Sequence, residues 1–299
     1  MIEASRDLRL GGRWTFAQAR KNDAIYAAAM TALAVATRVP RLSRRALGRW
    51  LGDAAWLFWS SGRARVESSL QVALGDDAPT SREVLRGLGE TLADMVGLLA
   101  GEAPSLVLEA DDEARLRGAL GDRGVVFATA HLGPWEAIGP VLASRGLRVA
   151  TVARESYDPR FDRLYARLRD DRGVRPLYRG APGFATSLVR ALRTGTIVGF
   201  PMDLAGRGVR TIDAPWMGRL APIPVGPAEL ALRTGARVVV GTAAPGPSGP
   251  RLAIEVIPAG DVDAAALTAR IAGALSQRIL AMPAAFPWMS RDLAALTRA

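Results

Sequence analysis

The stretch GVVFATAHLGPWEAIGPVL, Gly124–Leu142, decides the fold. It opens with an apolar run, Val125–Ala130, too short for a helix and rich in β-formers. It passes through His131, the only histidine, and Gly133. It then continues into a helical pattern that starts at Pro134, a residue suited to a first helical turn. A strand that hands over to a helix through a polar turn is the unit of an α/β sheet.

Downstream, the same texture repeats. Short β-rich runs at Leu147–Val152, Thr196–Phe200, Arg237–Thr242 and Leu252–Ile257 alternate with helical patterns at 134–144, 160–171, 183–193, 226–234 and 263–281. This predicts an α/β fold with a mixed, largely parallel central sheet flanked by helices. Ligands of such sheets bind at the carboxyl ends of the strands. Residues 106–299 are therefore expected to form one continuous α/β core, and residues 1–105 a helical, membrane-associating N-terminal region.

In that N-terminal region, AIYAAAMTALAVAT, Ala24–Thr37, is uncharged but short for a membrane span. An arginine cluster follows, with Arg38, Arg41, Arg44, Arg45 and Arg49, and then Trp50, Trp56, Phe58 and Trp59. Apolar helix, arginines and tryptophans in this order fit an interfacial anchor on an anionic leaflet. A buried helical hairpin with a solvated basic turn fits the same residues. The segment 64–102 reads as further helices. Thr80 or Ser81 caps one of them, and Leu85, Leu88, Leu92, Met95 and Leu99 recur as its core stripe.

Composition removes whole classes of chemistry. With 0 Cys and 1 His, there is no disulfide framework, cysteine nucleophile, Cys–zinc site or multi-histidine metal site. The formal net charge is +10, and Lys21 is the only lysine, so the positive charge is almost all arginine. Arginine favours bidentate contacts to phosphate and carboxylate. No nucleic-acid motif accompanies it, and no nucleic-acid partner is expected.

His131 is the candidate for chemistry. It falls in a turn before a helix, and Glu136 falls in the first turn of that helix. There the two can face each other, with Glu136 holding the imidazole tautomer and the helix dipole opposing permanent protonation. A lone histidine at a strand end also fits a capped, hydrogen-bonded structural residue. No GxSxG elbow, Walker loop or GxGxxG accompanies it.

HLGPWE, His131–Glu136, resembles the H-x₄-[DE] motif of glycerolipid acyltransferases. With Gly133 and Trp135 it is closer to the late acyltransferases of lipid A biosynthesis, the lauroyl/myristoyl transferase family. Four further blocks carry the resemblance. RVESSLQVALGD at 65–76 is similar to the family's Arg-rich helix, with Ser69 where Asn is usual. VARESYDPRFDRLYARLRDDRG at 152–173 is similar to its tyrosine-arginine segment, Arg154 and Arg169 matching its arginines. FPMDLAG at 200–206 resembles its acidic turn, with Asp203 in place and Leu204 and Ala205 departing from the polar followers. PWMSRD at 287–292 resembles its terminal Trp-x-His-Arg element, with Ser290 in place of His.

The resemblance implies acyl transfer from an acyl thioester, carried by acyl carrier protein or CoA, to a hydroxyl of a lipid A precursor-like glycolipid. It implies a peripheral or singly anchored protein at the cytoplasmic face of a bacterial inner membrane, in contact with anionic lipid. His131 and Glu136 would be catalytic; Arg169, Asp203, Arg154 and Gly133 would bind substrate, Gly133 through backbone N–H groups at the helix start. Arg207 and Arg210 are weaker phosphate candidates. No metal and no cofactor beyond the acyl donor are expected. Other acceptors, a phosphatidylinositol mannoside or a lysophospholipid, and a catalytically silent lipid-binding relative fit the same residues.

Overall fold

The computed structural model describes residues 12–156, 158–206, 208–246 and 249–296. Tyr157, in the tyrosine-arginine segment, and Arg207 lie outside the described residues.

The central sheet has six strands, β1 (Val125–Thr129), β2 (Val149–Ala153), β3 (Val174–Tyr178), β4 (Ile197–Pro201), β7 (Arg237–Ala244) and β8 (Arg251–Ile257), in the order β3-β2-β4-β1-β7-β8. β8 runs antiparallel to β7, and the other neighbouring pairs are parallel. The expected α/β class and largely parallel sheet are what the chain adopts. A separate antiparallel hairpin, β5 (Thr211–Trp216) and β6 (Arg219–Pro224), turns through Met217 and Gly218, both at positive φ. That is the backbone a tight two-residue hairpin turn demands.

Four elements depart from the expected pattern. β3 carries Pro176, which masks it as a strand, yet it lies on the sheet edge, where a missing donor is tolerated. Prolines similarly disguise β5 and β6. The helix α5 (Ala110–Leu120), polar except for a narrow buried strip around Leu116, has too weak a periodicity to stand out.

Among the described residues, five α-helices precede β1: α1 (Phe16–Ala36), α2 (Arg41–Phe58), α3 (Ser60–Leu74), α4 (Ser81–Leu99) and α5. Thr80 caps α4 through a capping box with Glu83. Between and after the strands come α6 (Ile138–Ser144), α7 (Pro159–Asp170), α8 (Phe184–Arg193), α9 (Gly226–Thr234) and α10 (Ala264–Ala281). Val66 and Leu70 of α3 and Val84 of α4 share one buried cluster with Val126, Val198 and Trp288, so these helices are packed into the core of the sheet. Leu92, expected in the α4 stripe, is 54% exposed. Thr91, Ala93 and Asp94 are buried instead, and Ala93 and Asp94 meet arginines of α2.

Asp94 explains where the arginine cluster goes. Arg41 and Arg45 both pair with it, Arg45 and Arg49 pair with Glu90, and Arg44 grips Glu102. Arg44 is buried and also donates to the carbonyls of Ala36, Val39 and Ala93. Four of the arginines thus answer carboxylates of the chain itself. What α2 and its C-terminal flank leave outside is apolar: Leu42, Trp50, Leu51, Leu57, Phe58 and Trp59 are exposed. Among the described residues no helix is long and apolar enough to cross a membrane.

Candidate active site

The strand register builds the site. β1 and β4 are parallel neighbours, and Thr129 pairs with Pro201. Met202 extends the ladder by donating its N–H to the Thr129 carbonyl. His131 and Asp203 stand two residues beyond the paired Thr129 and Pro201, at the carboxyl edge of the sheet. Their side chains meet there: His131 Nδ1 lies 2.9 Å from Asp203 Oδ2 and 3.0 Å from Oδ1. Asp203 is buried, whereas the His131 side chain is 25% exposed. The imidazole also meets the Trp135 ring edge-to-face, with centroids 5.0 Å apart.

The carboxylate hydrogen-bonded to His131 is therefore that of Asp203, not Glu136 as the local spacing suggests. Residues 135–137 form a 3₁₀ turn before α6 begins at Ile138, and Glu136 faces Arg169 of α7 at 3.4 Å. The electrostatics also differ from the helix-dipole expectation. Burial pushes the His131 pKa down, but the hydrogen bond and charge of Asp203 and the charge of Glu136 outweigh it. The net result lies above the usual histidine value.

Gly133 has a structural task. Its φ is +57°, a left-handed conformation that favours glycine, and its N–H donates to the Ala285 carbonyl at 3.0 Å. The Trp135 N–H is engaged by the Gly133 carbonyl, and Pro134 has none. The expectation of free N–H donors at this helix start is corrected for Gly133, Pro134 and Trp135.

A cavity of about 950 Å³ opens beside His131. It lies between one face of the sheet and helices α6 and α7. Its deep wall is aliphatic and aromatic, with Phe127, Leu142, Val149, Leu168, Val174 and Ile197. Val149, Val174 and Ile197 are the first residues of β2, β3 and β4, and Leu142 and Leu168 face them from α6 and α7, so the cavity runs from the site along the sheet. Gly199 lines its middle and contributes no side chain. Its mouth is polar: His131, Glu136, Arg154, Arg169 and Arg179 all line it.

The sequence matches the family described as bacterial lipid A biosynthesis acyltransferase over residues 14–294. The chain belongs to this family. No curated protein matches it. As an acyltransferase of this family, it works on an acyl donor and a lipid acceptor.

Within this acyltransferase, the blocks that carried the resemblance converge behind His131. Arg291, of the terminal block, donates to the Asp203 carbonyl at 2.9 Å and to the Pro222 carbonyl at 3.3 Å. Its guanidinium lies over Trp216. Ser69 of α3 in turn donates to the Arg291 carbonyl at 3.2 Å. Arg154 and Arg169 line the cavity as expected, whereas Arg210 pairs with Glu229 away from it. Sequence reasoning missed Arg179, which follows the proline-masked β3 and has no motif of its own. It also missed Asp203 as the partner of His131, because adjacency of β1 and β4 is a property of the sheet order.

Proposed function

We propose that the chain transfers a fatty acyl group from an acyl thioester to a hydroxyl of a lipid A precursor-like glycolipid, with His131 as general base. The observation that carries the reading is a carboxylate-held, partly exposed imidazole at the mouth of an apolar cavity.

The cavity accommodates the acyl chain, and its polar mouth leaves the thioester carbonyl beside His131. Asp203 fixes the tautomer with the proton on Nδ1, so Nε2 is the free base. Nε2 removes the proton of the acceptor hydroxyl as its oxygen attacks the thioester carbon. The imidazolium that forms is stabilised by Asp203. The tetrahedral intermediate expels the thiolate, which recovers the proton from Nε2. Positive charge for the oxyanion comes from Arg169, whose buried Nε lacks a hydrogen-bond partner and whose guanidinium lines the cavity beside Glu136. Glu136 holds Arg169. The reaction as written needs only the acyl donor, acyl carrier protein or CoA, as co-substrate.

The protein acts at the cytoplasmic face of a bacterial inner membrane, where both substrates are found. The exposed apolar residues of α2, Trp50 and Phe58 foremost, support contact with the lipid surface. The arginine cluster supports it less, being largely paired internally.

The test is transfer of a labelled acyl group from acyl carrier protein and from CoA to detergent-solubilised lipid extracts, with the product identified by mass. His131→Ala should keep the fold and lose nearly all transfer, a loss of about 10²–10⁴-fold. Turnover at the wild-type rate in that variant ends the mechanism.

A further inference from the structure

β2 and β3 are parallel neighbours in which Ala153 pairs with Tyr178. The next residues along the two strands are Arg154 and Arg179, and the Arg179 N–H donates to the Ala153 carbonyl at 2.9 Å. Two arginines are thus set side by side at the carboxyl edge of the sheet, and both line the cavity mouth. Like charges placed in register on neighbouring strands repel. The Arg179 side chain is half-buried, and no hydrogen bond or ion pair to it is present among the described residues. Its guanidinium lies over Gly206, in the turn that follows Asp203. A Cβ at that glycine would come within 2.7 Å of Nη2. The glycine therefore makes room for the arginine at this spot.

Arg154, Arg169 and Arg179 line the mouth against one lining carboxylate, Glu136, which faces Arg169. An arginine held at a cavity mouth beside a second arginine, with no carboxylate of its own, suits a planar or tetrahedral oxyanion.

We propose that Arg179, with Arg154 beside it, forms a phosphate-binding subsite at the cavity mouth, which takes a phosphate ester of one of the two substrates. The inference deepens the acyl-transfer reading and rests on it for the identity of those substrates. The phosphate has two sources, a phosphorylated lipid headgroup or the phosphopantetheine arm of the donor. Both present the same group to Arg179, and the experiment separates them.

The full-length chain is assayed with each substrate in phosphate-bearing and phosphate-free form. The acceptor is compared with its phosphatase-treated counterpart, and the acyl-CoA donor with acyl-pantetheine. Arg179→Gln should raise KM for one phosphate-bearing partner by about tenfold to a hundredfold and leave kcat within about threefold. The penalty should vanish for the phosphate-free form of that partner. Arg179→Lys should recover part of it, and Gly206→Ala, which displaces the guanidinium, should reproduce part of it. A penalty on the acceptor arm identifies the headgroup, and one on the donor arm identifies phosphopantetheine. An equal penalty with and without phosphate, or no penalty, overturns the proposal.

If the wild-type chain transfers no acyl group at all, the acyltransferase mechanism fails by itself. The subsite is then read from thermal unfolding in inorganic phosphate at constant ionic strength. A ligand that binds only the folded state raises the unfolding midpoint. That rise should be present in the wild-type chain, lost in Arg179→Gln and kept in the exposed control Arg193→Gln. No rise in the wild-type chain, or an equal rise in Arg179→Gln, overturns the subsite.

Discussion

Arg291 donates from its guanidinium to the main-chain carbonyl of Asp203, 2.9 Å away, while the Asp203 carboxylate holds the His131 ring. A residue near the end of the chain thus fixes the backbone from which the carboxylate of the site projects. Burial pushes the Arg291 pKa down, against the charge of Asp203 that raises it. The structure tolerates this desolvation through the two carbonyls that accept from it and the Trp216 face beneath.

Arg291→Gln should therefore act as a positioning change. A displacement of about 1 Å in a catalytic group costs on the order of 10²-fold in rate. We expect kcat to fall by about tenfold to a hundredfold, with KM for both substrates nearly unchanged and the pH profile displaced as the His131–Asp203 contact loosens. A change in KM alone would place Arg291 in substrate binding instead.

Asp203→Asn tests the pair directly. Asp203 and Glu136 hold the His131 pKa above its usual value, about 6.5. The acidic limb of kcat/KM should lie above that value in the wild-type chain and move to lower pH in the variant, with kcat reduced by about 10²–10⁴-fold. Glu136→Gln should move the limb the same way but less, because it acts on the ring through charge alone. The stability sign follows from the raised pKa. The pair contributes its full stabilisation below the pKa that histidine has in the unfolded chain, and loses it as pH rises through the folded value. Denaturant midpoints measured from pH 6 to 9 should fall with pH in the wild-type chain, and Asp203→Asn should flatten that slope.

Glu136 shows what a sequence can and cannot reveal. Its spacing from His131 was legible, but an orienting contact required Glu136 in the first turn of the helix that follows His131, and the chain makes a 3₁₀ turn there, with Glu136 facing Arg169. The alternation of strands and helices was legible because apolar runs such as Val125–Thr129 are bounded by polar turns. Strand order was not: nothing in the order of elements along the chain places β4 between β2 and β1, and that placement brings Asp203 to His131. The arginine cluster was misleading for a related reason. Its carboxylate partners, Glu90 and Asp94 on α4 and Glu102 just beyond its end, lie about 40 to 60 residues away in sequence, so local reading found charge where the fold holds ion pairs.

Two of those arginines should differ sharply in stability. Arg44 is buried, with three carbonyls and Glu102 as partners. Arg49 is half exposed and pairs only with Glu90. Truncating a buried, fully bonded charge costs about 3–5 kcal/mol, whereas an exposed pair contributes about 0–1 kcal/mol. Urea unfolding should show Arg44→Ala near the first range and Arg49→Ala near the second. Similar losses in both would mean that α2 and α4 are not joined through Arg44.

The α2–α4 contact itself is set by glycine. A Cβ added at Gly48 would overlap the Gly89 carbonyl, and one added at Gly89 would overlap that of Gly48. Both obstacles are backbone, which cannot rotate away. Alanine is favoured over glycine in a helix by about 1 kcal/mol, but overpacking costs about 1–3 kcal/mol and the helices must also part to relieve it. Gly89→Ala should thus destabilise the chain. Gly118 in α5 and Gly273 in α10 are also helical, and a Cβ at either meets nothing within 4 Å. With no clash to offset the propensity, Gly118→Ala and Gly273→Ala should stabilise by about 0.5–1 kcal/mol. Denaturant titration of the three variants should give opposite signs for the same substitution. A stabilised Gly89→Ala would mean that the two helices are not in backbone contact.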